Sequence, residues 1–210
     1  MADNQSVEVI TLFKSPAVWI LPNFLSDAQC AHLIDLGKER LYRSTVLDRQ
    51  NGEETVIADR SSWQSHFAVS HDPIVADIEQ RLAQHVSLPV ENGEGMQILR
   101  YEIGQEFKPH HDYFDPHCPG FAGALKPGGQ RRTTVLMYLA EPESGGETFF
   151  PAIGLKVKPT KGHALIFNNL RDDGSLDVES LHGSLPVSAG EKWVATKWMR
   201  VRNYSRSSSC

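Results

Sequence analysis

The stretch His110-His111-Asp112 holds the only His-x-Asp pair in the chain. On a β-strand, residues i and i+2 share a face, so His110 and Asp112 can grip one ion while His111 turns away. A second imidazole completes such a site. Ser180-Leu181-His182-Gly183 offers one just ahead of the apolar Leu185-Pro186-Val187. Two imidazoles and one carboxylate on one face of an octahedron leave three positions open, the donor set associated with non-haem ferrous sites that activate dioxygen. Those positions accept a bidentate co-substrate and O2. From spacing alone, the same residues equally fit ordinary polar positions of a β core.

Lys192 adds to this pattern. Ser188-Ala189-Gly190-Glu191 reads as a turn between it and the segment of His182, so the expectation is a hairpin that returns Lys192 beside the metal strand. A lysine at the head of the run Trp193-Val194-Ala195-Thr196-Lys197-Trp198 is costly to bury without an anion. A dicarboxylate co-substrate would supply one, and a solvent-facing lysine is the plainer alternative.

The elements that must position these residues show in the periodicity. Ser26 with Gln29 reads as a capping box, after which Cys30, Leu33, Ile34, Gly37 and Leu41 recur at helical spacing. Asp72-Pro73 starts a second helix, whose Ile74, Ile78, Leu82 and His85 repeat every three or four residues up to Pro89. Cys30 and His85 are expected to fill or rim a core. From Met96 the texture changes to short β-rich runs: 96–101, 133–139, 155–157, 164–167 and 192–201. Helices first, then many short strands without a βαβ rhythm, predict a mainly β (α+β) chain whose core is an antiparallel jelly roll. The jelly roll is expected over about 96–202, with helical support over about 24–90, in a single domain of 210 residues. Phe114 to Gln130, dense in Gly and Pro, reads as a long loop, and Ser205 to Cys210 as a frayed end.

Composition narrows the function classes. Hydrophobic residues at 40% and charged residues at 22% argue for a globular chain over a disordered one. With 21 Lys plus Arg against 26 Asp plus Glu, the net charge of −5 argues against a protein that grips phosphate backbones, so no nucleic-acid partner is expected. Met1 to Val9 show no leader pattern, and no apolar run approaches the roughly 20 residues that span a bilayer. The expectation is a cytoplasmic protein without a membrane partner. Three widely spaced cysteines, Cys30, Cys118 and Cys210, make neither a disulfide framework nor a zinc quartet.

These residues together resemble a known family, the 2-oxoglutarate- and Fe(II)-dependent dioxygenases, in particular the prolyl 4-hydroxylase catalytic domain of procollagen type. The matching blocks, in order, are Tyr101 to Asp112, Gly128-Gly129-Gln130-Arg131-Arg132-Thr133-Thr134, Gly145 to Pro151, Lys161 to Phe167, Ser180-Leu181-His182 and Gly190 to Arg200, within a resemblance running from about Phe24 to Arg202. The resemblance implies a double-stranded β-helix with Fe(II) on His110, Asp112 and His182, and 2-oxoglutarate chelating that iron. It implies that Lys192 pairs with the distal carboxylate, helped by the hydroxyls of Tyr101 and Thr148. It further implies oxidative decarboxylation of 2-oxoglutarate by O2 to succinate and CO2, coupled to hydroxylation of peptidyl proline, with ascorbate as a candidate ligand.

The family's peptide groove maps here onto Arg60, Ser62, Glu94 and Arg131, with Trp198 close to the iron. Tyr113, Phe114 and Trp63 offer ring faces for a proline. The chain departs from the family at Trp63, where a glycine is expected, at Phe107, where a tyrosine is frequent, and at Arg200, where a histidine is frequent. The animal collagen enzymes carry N-terminal substrate-binding and assembly regions with no counterpart here, so a small stand-alone enzyme is expected, with a homodimer as one candidate state. Two alternatives stand beside the reading. One is the same chemistry on a free amino acid or other small molecule. The other is a metal-binding jelly-roll module or zinc hydrolase with the same ligands, which leaves Lys192, Tyr101 and Thr148 without a task.

Overall fold

A computed structural model describes residues 8–204. The expected frayed end, Ser205 to Cys210, lies outside them. In chain order the strands are β1 (Ile10–Lys14), β2 (Ala17–Leu21), β3 (Tyr42–Arg43), β4 (Val46–Leu47), β5 (Glu54–Thr55), β6 (Trp63–Phe67), β7 (Met96–Tyr101), β8 (Phe107–His110), β9 (Arg131–Ala140), β10 (Ser144–Gly145), β11 (Thr148–Phe150), β12 (Leu155–Val157), β13 (Ala164–Asn168), β14 (His182–Ser184), β15 (Val187–Ala189) and β16 (Lys192–Arg200). Helices α1 (Asp27–Lys38) and α2 (Pro73–Val86) separate the early strands, and α3 (Ala122–Leu125) is a single turn. Eight strands form the major sheet, in the order β1-β2-β13-β9-β16-β7-β6-β3, and four form the minor sheet, β12-β11-β14-β8. The fold is a jelly roll: two antiparallel sheets face each other, with both helices on the outer side of the larger one.

Period-2 alternation divides the core between these two sides. Val135, Met137 and Leu139 of β9 pack outward with Met96, Ile98, Ala195 and the helices, while Tyr138 joins Leu99, Leu165, Phe167 and Val194 between the sheets. The central strands are therefore buried on both faces, which is why they read as apolar runs. Each fully buried large side chain contributes about 1.5–3 kcal/mol.

Both helices begin as expected. Ser26 and Gln29 cap α1 reciprocally, and Asp72 accepts from the amides of Ile74 (2.8 Å) and Val75 (2.9 Å) at the start of α2. A Cβ on Gly37 would stand 2.7 Å from Ile98 Cγ2, so glycine lets α1 lie flat on the sheet. Cys30 is buried in the core, and His85 rims it with its ring edge-on to Phe24. Across the interface, Lys197 of β16 and Glu79 of α2 make a buried ion pair of 2.5 Å. No helix among the described residues is long and apolar enough to cross a membrane.

Four expectations need correction. The chain opens with the hairpin β1–β2 before any helix, and β2 pairs with β13. The region 24–90 is not helical support alone, because β6 pairs with β7 and extends the sheet on its other side. Its sequence Trp63-Gln64-Ser65-His66-Phe67 is too polar to read as a strand, since its inner face lines a polar cavity. The 114–130 loop contains a 3-10 turn at Pro119–Phe121 followed by α3, and the Gln130 side chain closes it by bonding both the amide (2.9 Å) and the carbonyl of Phe114. Finally, Lys192 does not return through a hairpin. β15 pairs with β10 while β16 lies in the major sheet, so the chain crosses from one layer to the other at Gly190.

Candidate active site

Strand register brings the three candidate ligands together. His182, first in β14, stands opposite His110, last in β8. The strand stops at His110, so Asp112 reaches the site from the following turn instead of along the strand face. Its Oδ2 accepts from Thr134 Oγ1 at 2.7 Å, and Thr134 accepts in turn from Asn169 Nδ2 at 2.9 Å. His111 turns away, its Nε2 3.0 Å from the Val178 carbonyl and its ring stacked on Tyr113.

The ligand atoms of His110, Asp112 and His182 lie within 4.8 Å of one another. A carbonyl can only accept, so the contacts of 2.9 Å to Lys108 O and Ser180 O make both Nδ1 atoms donors and leave both Nε2 lone pairs free. These Nε2 atoms stand 3.7 and 3.5 Å from the Asp112 oxygens, at or beyond the limit of a hydrogen bond. Burial pushes the pKa of both histidines down, His182 lowering that of His110 further. Burial would raise Asp112, yet His182, His110 and Arg131 hold it well below the usual carboxylate range. Two neutral imidazoles and an ionised carboxylate, each oriented by a neighbour, are the protonation states that a divalent ion requires. The donor set fits Fe(II), with no sulfur ligand to favour a softer metal.

Deeper in the cavity lies Lys192, opposite Tyr101 across the β7–β16 ladder. It is 2% exposed, and its Nζ sits 4.4 Å from the centre of the Tyr101 ring. It donates to the Gly146 carbonyl at 2.8 Å and to the Ser184 hydroxyl, and among the described residues no carboxylate forms an ion pair with it. Burial pulls its pKa down from 10.5 to about 7, with only distant support from Glu147. Thr148 stands opposite Ser184 and exchanges a hydrogen bond of 2.9 Å with the Tyr138 hydroxyl. Leu99, Leu136 and Val194 line the same cavity as the ammonium and the metal ligands. A short diacid fits this layout, with its far carboxylate at Lys192 and its methylenes on the apolar wall.

The mouth is built differently. Glu94 accepts two hydrogen bonds from Arg131 (2.6 and 2.9 Å) and one from Arg200 (2.6 Å), and these guanidiniums keep it ionised against its burial. Arg131 lies 3.8 Å from the centre of the Trp198 ring and shares the Phe114 ring with Arg200. Glu94 is therefore a clamp on two arginines rather than a free acceptor. Arg60, Tyr113, Arg131 and Trp198 line the same cavity of about 1480 Å³ as the metal ligands. Ser62 does not: it lies behind the wall, bonded to Ser44 (2.8 Å) and supporting the Tyr101 hydroxyl. Trp63 also faces away, donating to Glu102 and stacked under Arg43. Phe107 stacks on His110 with centroids 3.5 Å apart.

Sequence reasoning missed Thr134, Asn169, Tyr138 and Ser184. A signal existed only for Ser184, two residues beyond His182 on the same strand and hence on the same face. Thr134 and Asn169 are distant in sequence from Asp112, and only the folded sheets bring them to it.

Two histidines, one carboxylate and an unneutralised ammonium in a jelly-roll cavity leave room for ferrous iron and a chelating keto diacid, and so define a 2-oxoglutarate-dependent oxygenase. Comparison with known proteins agrees. Residues 96–200 match the model of the 2OG-Fe(II) oxygenase superfamily. Prolyl 4-hydroxylase 5 of Arabidopsis thaliana is 41% identical over 217 residues, covering 94% of this chain and 72% of the relative. Probable prolyl 4-hydroxylase 6 of the same plant is 43% identical, covering 94% and 74%. The crystal structure of a viral collagen prolyl hydroxylase from Paramecium bursaria chlorella virus-1, in its 2OG complex, superposes with a TM-score of 0.68 at 30% identity over 87% of this chain and 95% of that one. The chain belongs to the prolyl 4-hydroxylases of the 2OG-Fe(II) oxygenase superfamily, and its cofactors are Fe(II) and 2-oxoglutarate.

Proposed function

We propose that the protein hydroxylates C4 of a proline within a peptide, consuming O2 and 2-oxoglutarate. The observation that carries this reading is Lys192, a buried ammonium whose hydrogen-bond partners are all neutral, in the same cavity as His110, Asp112 and His182. A zinc hydrolase has no use for that ammonium. Iron, keto acid and O2 together supply the oxidising chemistry: one oxygen atom leaves in succinate as CO2 is released, and the other enters the substrate C–H bond as hydroxyl.

The protein binds, orients and excludes. Lys192 neutralises the distal carboxylate, with Thr148 and Tyr101 as neutral donors around it. Thr134 holds Asp112 in the orientation that a ligand needs. Burial of Lys192 and Asp112 keeps bulk water from both charged ends. At the mouth, the Trp198 ring, flattened under Arg131, offers a face for the pyrrolidine ring close to the iron ligands. No general acid–base pair is required.

Two experiments test this. Anaerobic addition of 2-oxoglutarate to the Fe(II)-loaded protein should give a visible charge-transfer band, which a zinc site cannot produce. A proline-rich peptide library incubated with the enzyme should then show +16 mass shifts on proline, in step with succinate. Turnover of a small molecule with no peptide modified would overturn the reading.

A further inference from the structure

Asp112 and His182 come from separate segments, yet their supports meet at one residue, Asn169. It directly follows β13, and its main-chain N–H extends that strand's pairing by donating to the Arg132 carbonyl at 2.8 Å. Its own carbonyl accepts from the Asp177 amide at 3.0 Å, so the chain between them, pinned at its neck by the Leu170–Leu176 bridge, leaves and returns at this point. The Asp177 carbonyl takes both the amide (3.1 Å) and the hydroxyl (2.7 Å) of Ser180, whose carbonyl holds His182 Nδ1 at 2.9 Å. The Asn169 side chain runs the other way, to Thr134 and through it to Asp112.

The direction of that side-chain arm is fixed. The ionised carboxylate of Asp112 only accepts, so the one proton of the Thr134 hydroxyl goes to it, and Thr134 can only accept from Asn169. The amide therefore presents its nitrogen to Thr134. Its Oδ1 is left over: that oxygen is buried and has no hydrogen-bond partner in the protein, on a residue with 0% exposure. A buried amide with an unpaired acceptor costs stability that an apolar side chain of similar size would not. What the amide does that leucine could not do is donate to Thr134.

We propose that Asn169 is a positioning residue of the metal site. Its side chain keeps the Thr134 hydroxyl aimed at Asp112, and its main chain carries the turn that orients His182, so the two ligands stand together before an ion arrives. Asp112 Oδ2 and His182 Nε2 are 3.5 Å apart in this arrangement. An ion that met looser ligands would have to order them itself, at a cost in affinity. The inference concerns the metal site alone and holds whatever substrate is hydroxylated.

The test uses the full apo-protein, with Fe(II) added anaerobically in competition with a chelating dye and with neither 2-oxoglutarate nor peptide present. The melting temperature of the apo-protein is read beside it. Asn169→Leu, which nearly keeps the size and removes the donor, should weaken Fe(II) binding about tenfold while the apo melting temperature stays level or rises. Thr134→Val should weaken binding by at least as much, and Thr134→Ser should restore most of the loss. Because Asn169 acts through Thr134, the double variant should bind Fe(II) no more weakly than Thr134→Val alone. Should Asn169→Leu not fold, Asn169→Ser, one atom too short to reach Thr134, carries the same comparison. Wild-type Fe(II) affinity in the Asn169 variant, or losses that multiply in the double variant, would overturn the inference. So would a loss of affinity matched by a fall in apo melting temperature, the mark of a general packing defect.

Discussion

The deep end of the cavity and its mouth are held together by different means. At the deep end every key residue except Asp112, two residues past β8, sits on a strand and pairs directly across a ladder: His110 with His182, Lys192 with Tyr101, Thr148 with Ser184. Backbone hydrogen bonds set those positions, so chemistry there depends on sheet register. At the mouth the joint is electrostatic. Glu94 bridges Arg131 and Arg200, and Arg200 also bonds the Ala124 and Gly129 carbonyls of the 114–130 loop. Rigid ladders suit an invariant reaction, whereas ion pairs and loops leave the fit to a substrate adjustable.

The largest effect that separates the two regions should come from Asp112→Ala. It removes the only anionic ligand and leaves Thr134 without its acceptor. Succinate and hydroxyproline formation should both fall to background, and iron binding, followed by metal analysis after dialysis, should be lost. Retained peptide binding in the same variant, read by fluorescence anisotropy, would show that the mouth folds without the metal end.

Next in size is Lys192→Ala. Replacing a charged donor to a buried carboxylate costs about 1.5–3 kcal/mol, which is about 10- to 150-fold in the KM for 2-oxoglutarate. Unchanged co-substrate affinity would remove Lys192 from its role. The same residue predicts a pH dependence. Its pKa is about 7 in the folded protein and 10.5 in the unfolded chain. Between those values the unfolded state holds a proton that the native state has lost, so apo stability should rise with pH across this window. Co-substrate binding needs the ammonium and must recover that proton above about pH 7. Affinity for 2-oxoglutarate should therefore weaken, approaching about tenfold per pH unit, and in Lys192→Ala this slope should flatten.

The same contrast explains what could be read beforehand. β7 and β12 fall where alternation puts them, and both helices start at their caps, because those signals are local. The metal ligands were legible from the close spacing of His110 and Asp112, although the strand ends at His110 and Asp112 comes from the turn after it, and His182 needs only one long-range pairing to meet them. β6 was not legible, since a strand facing a polar cavity loses its apolar alternation. The route of Lys192 was misread because a turn sequence does not say whether the next strand stays in its sheet. Ser62 and Trp63 illustrate a third limit. Their neighbour Arg60 does line the cavity, but burial and side-chain partners decide that, not closeness in sequence.

The smallest effect, and the one that sharpens the comparison most, belongs to Glu94→Gln. Gln keeps the shape and one acceptor but loses the charge that holds Arg131 and Arg200 106 residues away from it in the second case. The guanidiniums of Arg131 and buried Arg200 then stand without their counter-ion, so Arg131 loosens over Trp198 and Arg200 over the loop carbonyls. The peptide KM should rise by about two- to tenfold, equivalent to about 0.5–1.5 kcal/mol, and the melting temperature should fall. The KM for 2-oxoglutarate should stay within about twofold, because Lys192 and Thr148 are placed by ladders that Glu94 does not touch. Equal losses for peptide and co-substrate would mean that the clamp reaches the sheet itself and that mouth and deep end are one mechanical unit.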